Sequence, residues 1–135
     1  IVVEEALYCK SRHWEIIAPS KNFFSEFDIE YARYYLESRR RRGITSRSLW
    51  EKVREQKRTP GNRLVTPEVM RERNPRYLPS VMHGKFSSVM ILFDDKVALI
   101  SSFKNLSAVL ISSEEMMQFM KTIFEGLWSV SEEVS

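Results

Sequence analysis

Short apolar bursts alternate with charged stretches along the 135-residue chain, and their spacing predicts strands joined by helices and loops. Trp14 to Ala18, closed by Pro19 and Ser20, reads as a buried strand. Ser25 and Asp28 fit the S-x-x-D opening of a helix, on which Phe27, Tyr31, Tyr34 and Tyr35 recur at three-to-four spacing and share a face. Arg39 to Arg42 fall in its last turn, where cations meet the negative end of the helix dipole, and Gly43 supplies the left-handed residue beyond it. Ile44 to Trp50 alternates as a second strand. Two strands linked through a helix predict a right-handed βαβ crossover.

Residues 51–65 are polar, turn at Pro60-Gly61 and read as a mobile loop. Thr66 and Pro67 open a short helix, and Arg76 to Leu78 a brief edge strand. Ser88 to Phe93 and Val97 to Ser101 form a hairpin around Asp94-Asp95-Lys96, with a further strand at Leu106 to Ile111. Ser112 and Glu115 make a capping box for a last helix over 113–129. Its apolar residues cover much of the circumference, so it should be buried on more than one side. Met116, Met120, Phe124 and Trp128 are the candidate dimer interface. Ile1 to Lys10 reads as the end of a helix or a docking segment. The expected fold is α/β, a mixed β-sheet with flanking helices.

Composition narrows the setting. The chain is 43% hydrophobic and 12% aromatic, enough for a core. Cys9 is the only cysteine, which excludes an intramolecular disulfide and makes the cytoplasm the simplest compartment. Cys9, His13 and His83 lack zinc spacing, and no phosphate loop, G-x-S-x-G or EF-hand pattern is present, so neither metal nor cofactor is expected. The longest apolar run is far shorter than a membrane span, and no signal peptide is seen. Net charge is +3, yet residues 39–63 hold ten of the 21 Lys/Arg and two of the 18 acidic residues. That run is a solvated helix end and loop, or a segment that attracts phosphates. Trp50 is the one aromatic within it, too few for a stacking platform.

Several segments, in order, carry a resemblance. Arg39 to Ile44 (RRRRGI), Phe93 to Ile100 (FDDKVALI), Ala108 to Ile111 (AVLI) and Ile123 to Trp128 (IFEGLW) resemble the C-terminal domain of TrmB-like transcriptional regulators. The resemblance implies a phospholipase D-like fold, here a catalytically degenerate half. Residues 1–13 would be the end of a linker helix or a docking segment, 14–130 the effector and dimerisation domain, and 131–135 a disordered tail. It further implies a homodimer that sets the spacing of two winged helix-turn-helix heads. DNA would be bound through those heads, which would precede this chain. The start at Ile1 suggests a piece cut from a longer protein. A small anionic effector would find Arg47, Arg63, Arg76, His83 and Lys85 near the strand ends, where open α/β sheets bind ligands.

The active phospholipase D-like pattern, H-x-K-x4-D-x6-G-S, can be tested by register. With its Asp on Asp94, the Gly-Ser pair falls on Ser101 and Ser102, and the His and Lys on Ser87 and Val89. Neither supplies an imidazole to attack phosphorus or a cation to hold its oxygens. The actual His83 and Lys85 lie four residues early, about 13 Å along an extended strand. A non-catalytic domain is therefore expected. The alternative is a metal-independent phosphodiesterase using His83, Lys85 and Asp94, with a homodimer contributing two such motifs to one site.

Overall fold

The computed structural model describes residues 2–18, 29–51, 74–82, 88–101 and 108–133. Within them the chain runs α1 (Val2–Leu7), β1 (His13–Ala18), α2 (Ile29–Arg41), β2 (Thr45–Trp50), β3 (Pro75–Tyr77), a 3₁₀ turn (Ser80–Met82), β4 (Val89–Phe93), β5 (Lys96–Ile100), β6 (Ala108–Ser112), α3 (Glu114–Val130) and β7 (Glu132–Glu133). The strands form one mixed sheet in the order β6-β5-β4-β1-β2-β3-β7. β1 and β2 pair in parallel, as a helix crossover between them requires, and β4, β5 and β6 form an antiparallel meander. The expected mixed sheet with flanking helices is what the chain builds. The openings of α2 and of the helix expected at 66–74, and the loop at 52–65, lie outside the described residues.

Period-two alternation divides the core. Trp14, Ala18, Trp50, Val89, Ile91, Phe93, Ala98 and Ile100 face one side with Ala6 and Leu7 of α1 and Tyr35 of α2. Ile17, Leu49, Met90, Leu92 and Val97 face the other, under Phe124, Met117, Met120, Leu127 and Trp128 of α3. All five residues of β4 are buried, the unbroken apolar run expected of a strand covered on both faces. The Trp14 indole N–H donates to the Ala6 carbonyl at 2.8 Å, and its ring lies 5.8 Å from that of Tyr35, so α1 and α2 are both tied to β1.

Several expectations shift. The cap of α3 is Ser113 rather than Ser112; its hydroxyl accepts from the Met116 N–H. Glu132 and Glu133, expected within a disordered tail, pair with Tyr77 and Arg76, so β3 is not at the edge. Arg39 is buried: its guanidinium donates to Ser46 Oγ at 2.6 Å and lies 5.4 Å from the Trp14 ring centre. Helix α2 is amphipathic down to its last turn, and Arg39 falls on the face turned to the sheet. Tyr34 and Tyr35, assigned to one face, separate into an exposed and a half-buried ring.

Gly43 lies at φ +65°, beyond the last turn of α2. Gly43→Ala should lower stability by about 1 kcal/mol, because a Cβ is disfavoured in that region. Gly126 sits inside α3, and a Cβ there would meet nothing within 4 Å. Gly126→Ala should raise stability by about 0.5–1 kcal/mol. Urea midpoints of the two variants check both signs.

Candidate functional site

Asp94 occupies the turn between β4 and β5 at φ 52°. Its carboxylate accepts the N–H groups of Lys10 and Ser11 at 3.0 and 2.9 Å. Burial acts to raise its pKa, but those two amides, with the Ser11 hydroxyl and the Lys96 charge, hold it below the ordinary carboxylate value. The side chain joins the α1–β1 loop to the hairpin. Val89, which takes the lysine place of the catalytic pattern, is buried in the core at the opposite end of β4. Five strand residues separate the two ends, about 16 Å. Asp94, a member of the alternative catalytic set of His83, Lys85 and Asp94, binds two backbone amides. His83, Lys85 and Ser87 lie outside the described residues.

Arg47 and Arg76, expected near a cleft for an anionic effector, are matched internally instead. Arg47 lies mid-strand on β2, opposite Glu15 of β1. Its Nε and Nη2 donate to the two oxygens of Glu15 at 2.9 and 3.0 Å, a fork-on-fork pair, and Nη1 donates to Glu125 Oε2 at 3.1 Å. Glu15 is 4% exposed. The hydrogen bond from Arg47 holds the Glu125 pKa down, and hydrogen bonds first to Glu125 and then to Glu15 raise that of Arg47. His13 extends the chain of contacts, with Nε2 3.2 Å from Glu15 and Nδ1 2.7 Å from the Thr45 hydroxyl. Arg76 donates to the Trp128 carbonyl at 2.8 Å, lies 4.3 Å from its ring centre and sits 3.5 Å from Glu133. Arg63, the third arginine of that set, is outside the described residues.

The expected dimer face on α3 divides. Phe124 is fully buried and stacks on Trp128 at 5.9 Å between ring centres, while Met120 packs on the core. Met116 alone of the four is exposed. It begins a second row, with Phe119, Ile123 and Val130, that is exposed among the described residues; Phe119 is 66% exposed. At 100° per residue this row lies on the flank away from Glu125. The same face of the sheet also exposes Leu99 of β5 and its partner Val109 of β6.

Among the described residues, no group of three His, Cys, Asp or Glu is placed to hold a metal, and no helix is long and apolar enough to cross a membrane.

Two variants test these contacts. Because the folded pKa of Asp94 is depressed, its contribution to stability is present above the unfolded value of about 3.9 and is lost as pH falls through the folded value. Asp94→Asn should have a lower urea midpoint than wild type at neutral pH, with the gap closing in acid. Arg47→Met leaves the Glu15 carboxylate buried without its partner and should cost about 3 kcal/mol at neutral pH. The double variant Arg47→Met, Glu15→Leu should recover much of that loss.

Neither a family model nor a curated protein matches the sequence. Solved structures do. TrmBL2, described as an archaeal chromatin protein with a novel mode of DNA binding, superposes with a TM-score of 0.56 at 17% identity over 98% of this chain and 48% of its own. Nuc from Salmonella typhimurium, a phospholipase D family member, gives 0.66 at 12% identity, covering 98% of this chain and 88% of its own. NucT from Helicobacter pylori gives 0.67 at 13% identity with the same coverages. This chain thus spans about half the length of TrmBL2 and most of each of the other two. At these identities the likeness is one of fold: the chain has the phospholipase D-like α/β fold, in the form shared by those proteins and a TrmB-like one.

Proposed function

We propose that the chain is a non-catalytic pairing domain of a TrmB-like transcriptional regulator, acting in a homodimer whose DNA-binding heads lie elsewhere in the protein. The observation that carries this is the exposed row Met116, Phe119, Ile123 and Val130 on α3, beside exposed Leu99 and Val109. Apolar patches of this kind mark interaction surfaces. The row repeats at heptad spacing, with Gly126 completing the gap before Val130. A twin helix laid against it would bury on each side what the monomer leaves wet. The fold similarity to TrmBL2 supports the regulator class. One feature supports a non-catalytic role: Val89 in the lysine place of the pattern's register. For an anionic effector, Arg47 and Arg76 are already matched by carboxylates or a carbonyl. Effector sensing would thus rest on Arg63, His83 and Lys85.

The second reading, a phosphodiesterase built on His83 and Lys85, draws on the fold similarity to Nuc and NucT. Sedimentation and a hydrolysis assay separate the two. The pairing role predicts a dimer at micromolar concentration that becomes a monomer on Phe119→Glu with Ile123→Glu, with an unchanged far-ultraviolet circular dichroism spectrum. It also predicts no metal-independent cleavage of bis(p-nitrophenyl) phosphate. A wild-type monomer would overturn the pairing role. Cleavage abolished by His83→Ala would establish the enzyme.

A further inference from the structure

The parallel register of β1 and β2 brings together two basic segments some thirty residues apart. The Thr45 N–H donates to the Arg12 carbonyl at 3.0 Å and the Ile44 N–H to the Arg39 carbonyl at 3.2 Å, so the α1–β1 loop lies beside the end of α2. Lys10, Arg12, Arg40, Arg41 and Arg42 are all exposed there. The Arg42 guanidinium lies 4.1 Å from the ring centre of Tyr8, itself 62% exposed. Arg12 is held at φ 53°, a conformation that glycine or asparagine adopts more readily. Among the described residues, Asp94 is engaged by the Lys10 and Ser11 amides, Asp95 by Lys96, and Glu15 by Arg47 and His13, while Glu5 is an exposed acid one turn before Tyr8. Glu37 is an exposed acid one turn back on α2. The basic run noted in the sequence is thus a composite: its start joins Lys10 and Arg12, while Arg39 and Arg47 are withdrawn into internal contacts.

We infer that this rim is a contact surface for the phosphate backbone of duplex DNA. Successive residues of a helix point about 100° apart, so Arg40, Arg41 and Arg42 splay in different directions. A single small anion needs convergent donors, which the splayed guanidinium groups do not offer. A polyanion with charge spaced along its length meets diverging cations in turn, releasing condensed counterions at each contact. Tyr8, one ring with a guanidinium over it, makes no stacking platform for single strands. The rim also lacks the broad apolar face with which an amphipathic surface enters a membrane. It lies at the end of β4 remote from Val89. α2 and α3 pack on opposite faces of the sheet, so pairing through α3 leaves the rim open.

The test is fluorescence anisotropy of a labelled random DNA duplex with the 135-residue chain, titrated between about 50 and 200 mM salt. The rim variant combines Lys10→Ala, Arg12→Gly, Arg41→Ala and Arg42→Ala. Glycine preserves the backbone at 12, and alanine at 10 keeps the amide that Asp94 accepts. The expected result is at least tenfold weaker binding, with the slope of log K against log salt flattened by about 0.9 for each contact removed. Arg12→Gly alone should flatten it by about one such step, a readout that survives if the combined variant folds poorly. Three results would each overturn the proposal: no wild-type binding at the lowest salt, a rim variant that binds as wild type, or binding to phosphatidylserine vesicles in preference to the duplex. Loss of binding confined to a variant neutralising Lys52, Arg54, Lys57, Arg58 and Arg63 would also overturn it, by moving the contact to the rest of the basic run.

Discussion

A carboxylate in the middle of a covered sheet must be matched, and the match for Glu15 links two strands and a helix. Its neighbours across the sheet are Arg47 on one side and Leu92 on the other, so the guanidinium comes from β2, while His13 of its own strand lies at 3.2 Å. Once Arg47 has forked onto Glu15, its remaining nitrogen reaches upward to Glu125. That bond ties α3 to the sheet beside the buried Phe124. The apolar row of Met117, Met120, Phe124, Leu127 and Trp128 goes down onto Leu49, Met90 and Leu92. Burial of that row orients the helix, the charge pair conforms to it, and Met116, Phe119 and Ile123 are left exposed.

Local signals in the chain were enough for many of its described elements, which rest on interactions within a few residues, but not for β7, which forms only by pairing with β3. Gly43 after four arginines, the Asp94-Asp95 turn between two apolar runs, and the five-residue apolar burst of β4 all appear where their chemistry places them. The α3 cap missed by one position because two adjacent serines offer the same hydroxyl. Contacts between distant residues were not legible. Glu15 and Arg47 are 32 positions apart, and nothing in either segment announces the other. The side of α3 that faces the sheet was equally hidden. Met116 and Met120 both recur at helical spacing, and only packing on the folded sheet distinguishes their rows. Arg39 looked like one more solvated cation until the sheet gave it Ser46 and Trp14.

The two ends of β4 separate scaffold from chemistry in this fold. At one end Asp94 binds backbone amides, a task independent of any reaction, and so it suits a regulator as well as a nuclease. At the other end the reacting groups of the pattern would stand, and Val89 there contributes only to packing.

The β4–β5 turn has a mechanical aspect. The Asp94 carboxylate grips the loop that follows α1, and the Asp95 carbonyl, one residue on, accepts the N–H of Ser113, the cap of α3. The incoming helix and the helix with the exposed row are thus hinged on two consecutive residues of one tight turn. The loop after α1 and the root of α3 are separated by a single peptide unit of that turn.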